Sequence, residues 1–256
     1  MNTHILITGA AGGIGAVTAR MAAQRGSAVT LMARASGRGE ADKLAAEIVE
    51  AGGKALVVIA DVSNEDEVVA AFQSAVETLG PLSGVVNAAG ITANAWVKDL
   101  DAGLADKVMK INVVGLMVCC REALRHMSTS SGGQGGSIVN VSSMAATIGG
   151  RPGASVYAAS KAAVDTFTTG LAREAAAEGV RVNSIRPGMI ATKMTANLDA
   201  NPELLKALEA SIPMGRRGQP EEIAELALWL LSPAASFVTG AHVNAGGGGF
   251  HVAGER

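Results

Sequence analysis

The opening of the chain most constrains what it can become. A short apolar run, His4 to Thr8, is followed at once by Gly9, Gly12, Gly13 and Gly15. A helical pattern then runs from Ile14 to Arg25 and stops at Gly26, a good residue to end a helix. The order is strand, glycine turn, helix. Glycines let backbone come close to a pyrophosphate, and a helix N-terminus offers free N–H groups and a positive dipole. The strict Gly-x-Gly-x-x-Gly spacing is absent; Thr8-Gly9-x-x-x-Gly13-x-Gly15 stands in its place. Its position between strand and helix favours dinucleotide binding, against the alternative of a plain tight turn.

The same alternation continues. Strands are expected at Ala28 to Met32, Leu56 to Ile59, Gly84 to Asn87, Ser137 to Val141, Arg181 to Ile185 and about Ala241 to Ala245. Leu56 to Ile59 is apolar throughout, as suits a parallel strand buried on both faces. Helices are expected at about Ala41 to Ala51, from Ser63 or Asn64 to Leu79, through a region reaching Met127 with an interruption near Gly115, and at Val156 to Glu178 and Pro220 to Leu231. Residues 91 to 102 are left undetermined, and Ser128 to Gly136 reads as a Ser/Gly loop. The segment Met189 to Gly218, with a helix at Pro202 to Ile212, reads as an insertion over the carboxyl edge of the sheet, where a substrate lid belongs. No linker breaks the pattern. The expectation is one α/β domain spanning residues 1–256, a doubly wound (Rossmann) sheet of about seven parallel strands with helices on both faces.

Composition narrows the classes. Aromatic residues are only 3% of the chain, so the core must be aliphatic. The net charge of −2, with no basic run, argues against a nucleic-acid surface. Cys119 and Cys120 are adjacent in a helical pattern and read as buried free thiols, which fits a reducing compartment. No zinc-like spacing joins them to the four histidines, so no metal is expected. Leu226 to His242 lacks charge but is broken by Ser232-Pro233 and is too short for a membrane span, and Met1 to Ile14 lacks a basic leader. These features point to a soluble cytoplasmic protein.

Two further places carry chemistry. The end of the second strand reads Met32-Ala33-Arg34, with Arg38 close behind. A carboxylate there would suit an adenosine ribose hydroxyl, whereas an arginine suits a 2′-phosphate. NADP(H) is therefore the expected cofactor; NAD(H) remains possible if Arg34 and Arg38 are ordinary loop charges. Asp61-Val62 follows the third strand at the carboxyl end, where ligands bind in such sheets. The other place is Tyr157, the only tyrosine, with Lys161 four residues on. Positions four apart share a helix face. An ammonium beside a phenol favours the phenolate and lowers a pKa that is normally near 10. Such a pair suits proton exchange with a carbonyl–alcohol couple; a chance pair on an amphipathic helix is the alternative. Asn112 inside a helical pattern is unfavourable on propensity, and such a residue is commonly bonded to backbone.

Taken together, Thr8-Gly9-Ala10-Ala11-Gly12-Gly13-Ile14-Gly15, Asp61-Val62, Asn87-Ala88-Ala89-Gly90, Asn112, Ser143, Tyr157-Ala158-Ala159-Ser160-Lys161 and Arg186-Pro187-Gly188 resemble the short-chain dehydrogenase/reductase family, in its compact single-domain branch. The overall sequence resembles glucose-dehydrogenase-like and 3-oxoacyl-thioester-reductase-like members. The resemblance implies a tetrad. Tyr157 would be the acid in reduction and the base in oxidation. Lys161 would lower the Tyr157 pKa and bond the nicotinamide ribose. Ser143, chosen over Ser142, would hold the substrate oxygen. Asn112 would distort its helix and position a water joining Lys161 to solvent. Moving a phenol from about 10 to about 7 needs roughly 4 kcal/mol of differential stabilisation. Asp61 and Val62 would touch adenine; Asn87, Ala88 and Gly90 would line the cofactor; Pro187, Gly188, Ile190 and Thr192 would meet its nicotinamide end. Ala88 stands where the family often has a second Asn, and Asn244-Ala245-Gly246 replaces a common Val-Asp-Gly, so a contact made there is in question.

The resemblance also implies a homotetramer, with Ala158, Ala162 and Ala163 permitting close helix packing; packing on their own sheet is the other use for them. Met189, Ile190, Met194, Leu198, Leu204 and Met214, with Trp96 opposite, suggest a partly apolar substrate such as a sugar, a 3-oxo ester or a small ketone. A non-catalytic dinucleotide-sensing regulator on the same fold is the competing reading, since fold alone does not fix function.

Overall fold

A computed structural model describes residues 3–249. Seven strands form one parallel sheet in the order β3-β2-β1-β4-β5-β6-β7: β1 (His4–Thr8), β2 (Ala28–Ala33), β3 (Lys54–Ile59), β4 (Gly84–Asn87), β5 (Gly136–Val141), β6 (Val180–Pro187) and β7 (His242–Ala245). The doubly wound sheet expected from the alternation is the fold observed. β1 lies between β2 and β4, with Ile7 opposite both Leu31 and Val86. All residues of β1 and β4 are buried, as a central strand covered on both faces requires.

One face of the sheet is covered by α1 (Gly13–Gln24), α2 (Arg38–Glu50) and α9 (Pro220–Leu231). Their apolar stripes, including Ala19, Ala22, Leu44, Ile48, Ile223 and Ala227, pack on Ile5, Ile7, Val29 and Leu31. The other face carries α3 (Glu65–Leu79), α5 (Leu116–Met127) and α7 (Ser155–Ala175). Phe72 there is fully buried in one core with Leu6, Val85 and Leu116. Helix starts follow local chemistry. The Asn64 side chain accepts from the Glu67 N–H to cap α3, and Gln219 with Glu222 forms a reciprocal box before Pro220 in α9. Cys119 and Cys120 are free and buried, and burial pushes the Cys120 thiol up to about 12.

Several element boundaries differ from the sequence expectations. α2 begins at Arg38 rather than Ala41, because a short helical turn, Ala35–Gly37, leads straight into it and draws Gly39 into its first turn. Residues left undetermined hold a helical turn at Val97–Asp99, and α4 (Ala102–Met109) begins where Asp101 caps it through the Leu104 N–H. The helix then widens into a π-helical turn, Lys110–Gly115, before α5. The segment after β6 carries a 3-10 stretch, Lys193–Leu198, and α8 (Pro202–Ala210). Its two ends are pinned together: the Ala191 N–H donates to Gly218 O and the Gly218 N–H to Met189 O, both at 2.9 Å.

Among the described residues no helix is long and apolar enough to cross a membrane.

Candidate active site

The strand order reverses direction between β1 and β4, and a crevice opens there above the carboxyl ends of the strands. Gly9 leaves β1 with φ +71° and lies against the chain that leaves β4. A Cβ on Gly9 would sit 2.9 Å from Ala89 Cα, and one on Gly15 would sit 2.6 Å from Gly9 O. The turn can be this tight only with glycine at both places. No side chain caps α1, and Gly12, Gly13, Ile14 and Gly15 line the crevice directly.

The crevice has three contiguous parts. The central cavity, about 400 Å3, is walled by the glycine turn, Arg34, Ala88, Gly90, Ser143, Tyr157, Lys161, Pro187, Gly188, Ile190 and Thr192. Toward β2 and β3 it continues into about 290 Å3 bounded by Gly9, Arg34, Gly37, Asp61, Val62 and Gly90. Toward the lid segment it continues into about 270 Å3 that shares Ser143, Tyr157, Pro187 and Gly188. A larger cavity of about 520 Å3 lies at the opposite end of the sheet, among His4, Arg20, Glu47 and Lys54, away from these groups.

α7 places Tyr157 and Lys161 one turn apart on the crevice side, with the lysine ammonium 5.9 Å from the tyrosine ring centroid. Lys161 Nζ donates to Val141 O at 2.8 Å, which ties α7 to the end of β5. Burial pushes the Lys161 ammonium down to about 8, opposed by the Asp165 carboxylate one further turn along. Tyr157 departs from the expectation of an acidified phenol. Burial raises it, and its hydrogen bond with Ser143 acts the other way. The ammonium is directed at the Val141 carbonyl, and desolvation outweighs the help given to the phenolate.

The two adjacent serines both line the central cavity but differ in their bonds. Ser142 is buried, and its hydroxyl donates to Lys161 O at 3.1 Å. Ser143 is at the junction of two cavities, both of which Tyr157 also lines, with its Oγ accepting from the Ala145 N–H at 3.1 Å.

Asn112 lies in the π-helical turn, so the helix is distorted where its propensity is poor. Its amide clasps Ile91, accepting from the Ile91 N–H at 2.8 Å and donating to Ile91 O at 2.9 Å, and it also donates to Ser160 Oγ at 3.0 Å. It does not line the cavity. It stands behind Gly90, where a Cβ would meet Asn112 Oδ1 at 3.2 Å and Lys161 Nζ at 3.6 Å.

Asn87 is the other residue the structure keeps out of the crevice wall. Its Nδ2 donates to Asn140 Oδ1 at 2.9 Å and to Cys120 Sγ at 3.3 Å, so its side chain fastens β4 to β5 and α5 instead. Asp61 lines the β3 side but spends its carboxylate on the Ser63 N–H and hydroxyl, which hold it below the usual range, with Arg34 adding to that. Of the apolar residues assigned to the lid, Met189 and Leu198 line the outer cavity and Ile190 the central one. Met214 lines a separate cavity of about 190 Å3. Trp96 and Leu204 are exposed and line none of these; the Met194 side chain lies outside the described residues. Asn244 faces Arg186, whose Nη1 is 3.5 Å from its Oδ1.

Sequence reasoning missed Lys193, Thr195 and Arg151, which also line the crevice. Lys193 pairs with Glu40 at 3.2 Å, joining the lid segment to α2. The Thr192-x-x-Thr195 spacing was the available signal, because the two form a reciprocal cap that fixes Lys193 between them.

Comparison with known proteins agrees with this geometry. The family model described as enoyl-(acyl carrier protein) reductase matches residues 9–251. The chain is 45% identical to the uncharacterized oxidoreductase YgfF of Escherichia coli over 95% of its length and 98% of that protein. It is 41% identical to a cis-4-hydroxycyclohexanecarboxylate dehydrogenase of Sinomonas cyclohexanicum, covering 95% and 94% of the two chains. The crystal structure of gox2181 superposes with a TM-score of 0.90 at 34% identity, covering 96% of this chain and 95% of that one. A dehydrogenase/reductase from Sinorhizobium meliloti superposes with a TM-score of 0.87 at 35% identity over 96% and 94%. On its fold, its crevice and these relatives, the chain belongs to the short-chain dehydrogenase/reductase family and is an NAD(P)-dependent oxidoreductase acting on CH–OH and carbonyl groups.

Proposed function

We propose that this protein is an NADP(H)-dependent oxidoreductase that interconverts a ketone and a secondary alcohol, with Tyr157 as proton donor in reduction and acceptor in oxidation. The observation that carries the reading is one continuous crevice walled at one end by the uncapped glycine turn and Arg34, and at the other by Ser143, Tyr157 and Lys161. The donor set suits a dinucleotide. Small residues and free N–H groups stand where a pyrophosphate would pass, and a guanidinium stands at the end of β2 where a 2′-phosphate would fall. A bound nicotinamide supplies or accepts the hydride.

The chain's own residues do the rest. Ser143 holds the substrate oxygen beside the Tyr157 hydroxyl. Tyr157 delivers its proton as charge builds on that oxygen, and its raised pKa keeps it protonated for reduction at neutral pH. Lys161, on the same helix face, stabilises the tyrosinate left behind, and Asp165 supports its charge. Asn112 holds the Ile91 backbone and Ser160 so that Gly90 and Lys161 keep their spacing. Asp61 and Val62 bound the adenosine end, and Pro187, Gly188, Ile190 and Thr192 the nicotinamide end. The chain reads as a single domain with residues 189–218 as its lid.

Relatives named for a cyclohexane hydroxy acid, for galactitol and for 3-oxoacyl thioesters all act at secondary alcohols or ketones, which supports the reaction class here. A homotetramer accords with apolar side chains left on the surface, Phe237 and Trp229 on one side and Met109 and Val114 on another. A cytoplasmic location accords with the two free thiols. Tyr157→Phe tests the mechanism. Fluorescence titration with NADPH should stay within about twofold of wild type while ketone reduction falls by roughly 10²–10⁴. Turnover left at wild-type level would remove Tyr157 from the reaction and favour a sensor.

A further inference from the structure

We propose that the substrate is a keto acid or hydroxy acid whose carboxylate is recognised by Arg151. The inference rests on the reading of Ser143 and Tyr157 as the reacting end and adds what lies at the other end of the same cleft. Arg151 lines the outer cavity together with Ser143 and Tyr157. Among the described residues no aspartate or glutamate lines that cavity, and Arg151 is the one formal charge. Besides the reacting pair and the guanidinium, the wall is mostly apolar, with Ala93, Met144, Ile148, Met189 and Leu198. The cavity, at about 270 Å3, suits a small molecule.

The neighbouring arginines make the contrast. Arg186 is paired with Asp165, Arg216 with Glu222, and Arg217 with Asp199 and Glu209. Among the described residues Arg151 has no carboxylate partner; the contact its guanidinium makes is Nη2 to Met189 Sδ at 3.8 Å. That contact carries it across the cleft toward the lid segment. The loop that bears it is fixed. Gly149, Gly150 and Gly153 all take positive φ, the Ala154 N–H donates to Arg151 O at 2.8 Å, and the Ala95 N–H donates to Gly153 O at 2.9 Å. A planar fork of donors set beside apolar walls is complementary to a carboxylate, which it can grip through two bonds.

Binding and turnover of 4-oxopentanoate and its neutral methyl ester separate the possibilities. Calorimetry on wild type, Arg151→Gln and Arg151→Lys, each with and without NADPH, reads the carboxylate contact without any reaction. Wild type should bind the acid more tightly than the ester. Arg151→Gln should cut that preference by about tenfold or more, and Arg151→Lys by less, because charge survives but the fork does not. Rates with NADPH and NADH should show the same loss of preference, mainly in KM. Equal binding of acid and ester, equal losses for both in Arg151→Gln, or no binding of either would overturn the proposal. Acid bound through Arg151 but never reduced would leave the recognition standing and remove the redox reading. An ester reduced as readily as the acid would do the reverse.

Discussion

The floor of the crevice and the segment above it are built by opposite means. The floor is backbone against backbone. Gly9 touches the chain after β4, Gly15 touches Gly9, and the strands beneath are buried. The covering segment, 189–218, is anchored by buried Met189, Ile190 and Ile212 and elsewhere reaches the body through the exposed pairs Lys193 to Glu40 and Arg216 to Glu222, while Arg217 bonds Asp199 and Glu209 within the segment itself. None of the residues of α8 is buried. Packed backbone has one arrangement, and any added atom must displace another. Exposed ion pairs are weak and screened by salt, so away from its buried anchors the segment is held lightly. On the proposed function, the part that would grip the cofactor is packed backbone, and the part that would admit substrate is more loosely fastened.

Adding one methyl group to the floor should have the largest effect. Gly15→Ala puts a Cβ 2.6 Å from the Gly9 carbonyl, and the turn must shift. A stability loss of about 1–3 kcal/mol is expected, visible as a lower Tm, together with loss of NADPH binding. An unchanged Tm would mean that the floor yields as easily as the lid.

The second test is pH. The Lys161 ammonium is depressed to about 8 from its ordinary 10.5 by burial, so it is charged below that value and neutral above it. In the free enzyme, kcat/KM for reduction should fall as pH rises through about 8, approaching tenfold per unit. The sign for stability is the reverse. A lysine whose folded pKa is lowered opposes folding while it is charged, so its cost is present below about 8 and fades as pH rises toward 10.5. Asp165 raises the Lys161 value, so Asp165→Asn should move the kinetic fall to lower pH. A profile that stays level to pH 10 would separate Lys161 from the chemistry.

Arg34→Ala comes next. It should weaken NADPH binding by roughly tenfold or more and NADH binding far less, read by titration with each. Equal losses would contradict a phosphate contact. The smallest effect belongs to the lid. Lys193→Ala removes an exposed pair, and the KM for cofactor should stay within about threefold of wild type and lose part of its salt dependence. A large fall in Tm would show that this segment is fastened as firmly as the floor.

What the sequence revealed divides along the same line. Apolar runs ending in glycine marked the strands of the floor, because buried parallel strands and close backbone contacts each demand particular residues. Tyr157, Lys161 and Ser143 were singled out by spacing and resemblance, and the fold brings the three to one cavity. The direction of the Asn87 side chain was not legible, because identity does not say which way a buried amide turns; here Asn140 and Cys120 claim its Nδ2. The start of α2 was hidden by Gly39, which a first helical turn tolerates. Arg151 was hidden because an exposed charge between turn glycines gives no sign of the cleft it borders.

One detail of the other sheet face reaches both ends of the crevice. At Gly115, the end of the π-helical turn, an added Cβ would sit 2.5 Å from the Val62 carbonyl, on the β3 side of the crevice, while Asn112 three residues earlier secures Ile91 and Ser160 near Lys161. A regular helix advances about 100° per residue. Deleting a single residue from that turn would therefore swing Asn112 and everything before it around the axis while Gly115 stayed docked. The widened turn works as a spacer of fixed length, cut so that one rod touches two ends of the same molecule in phase.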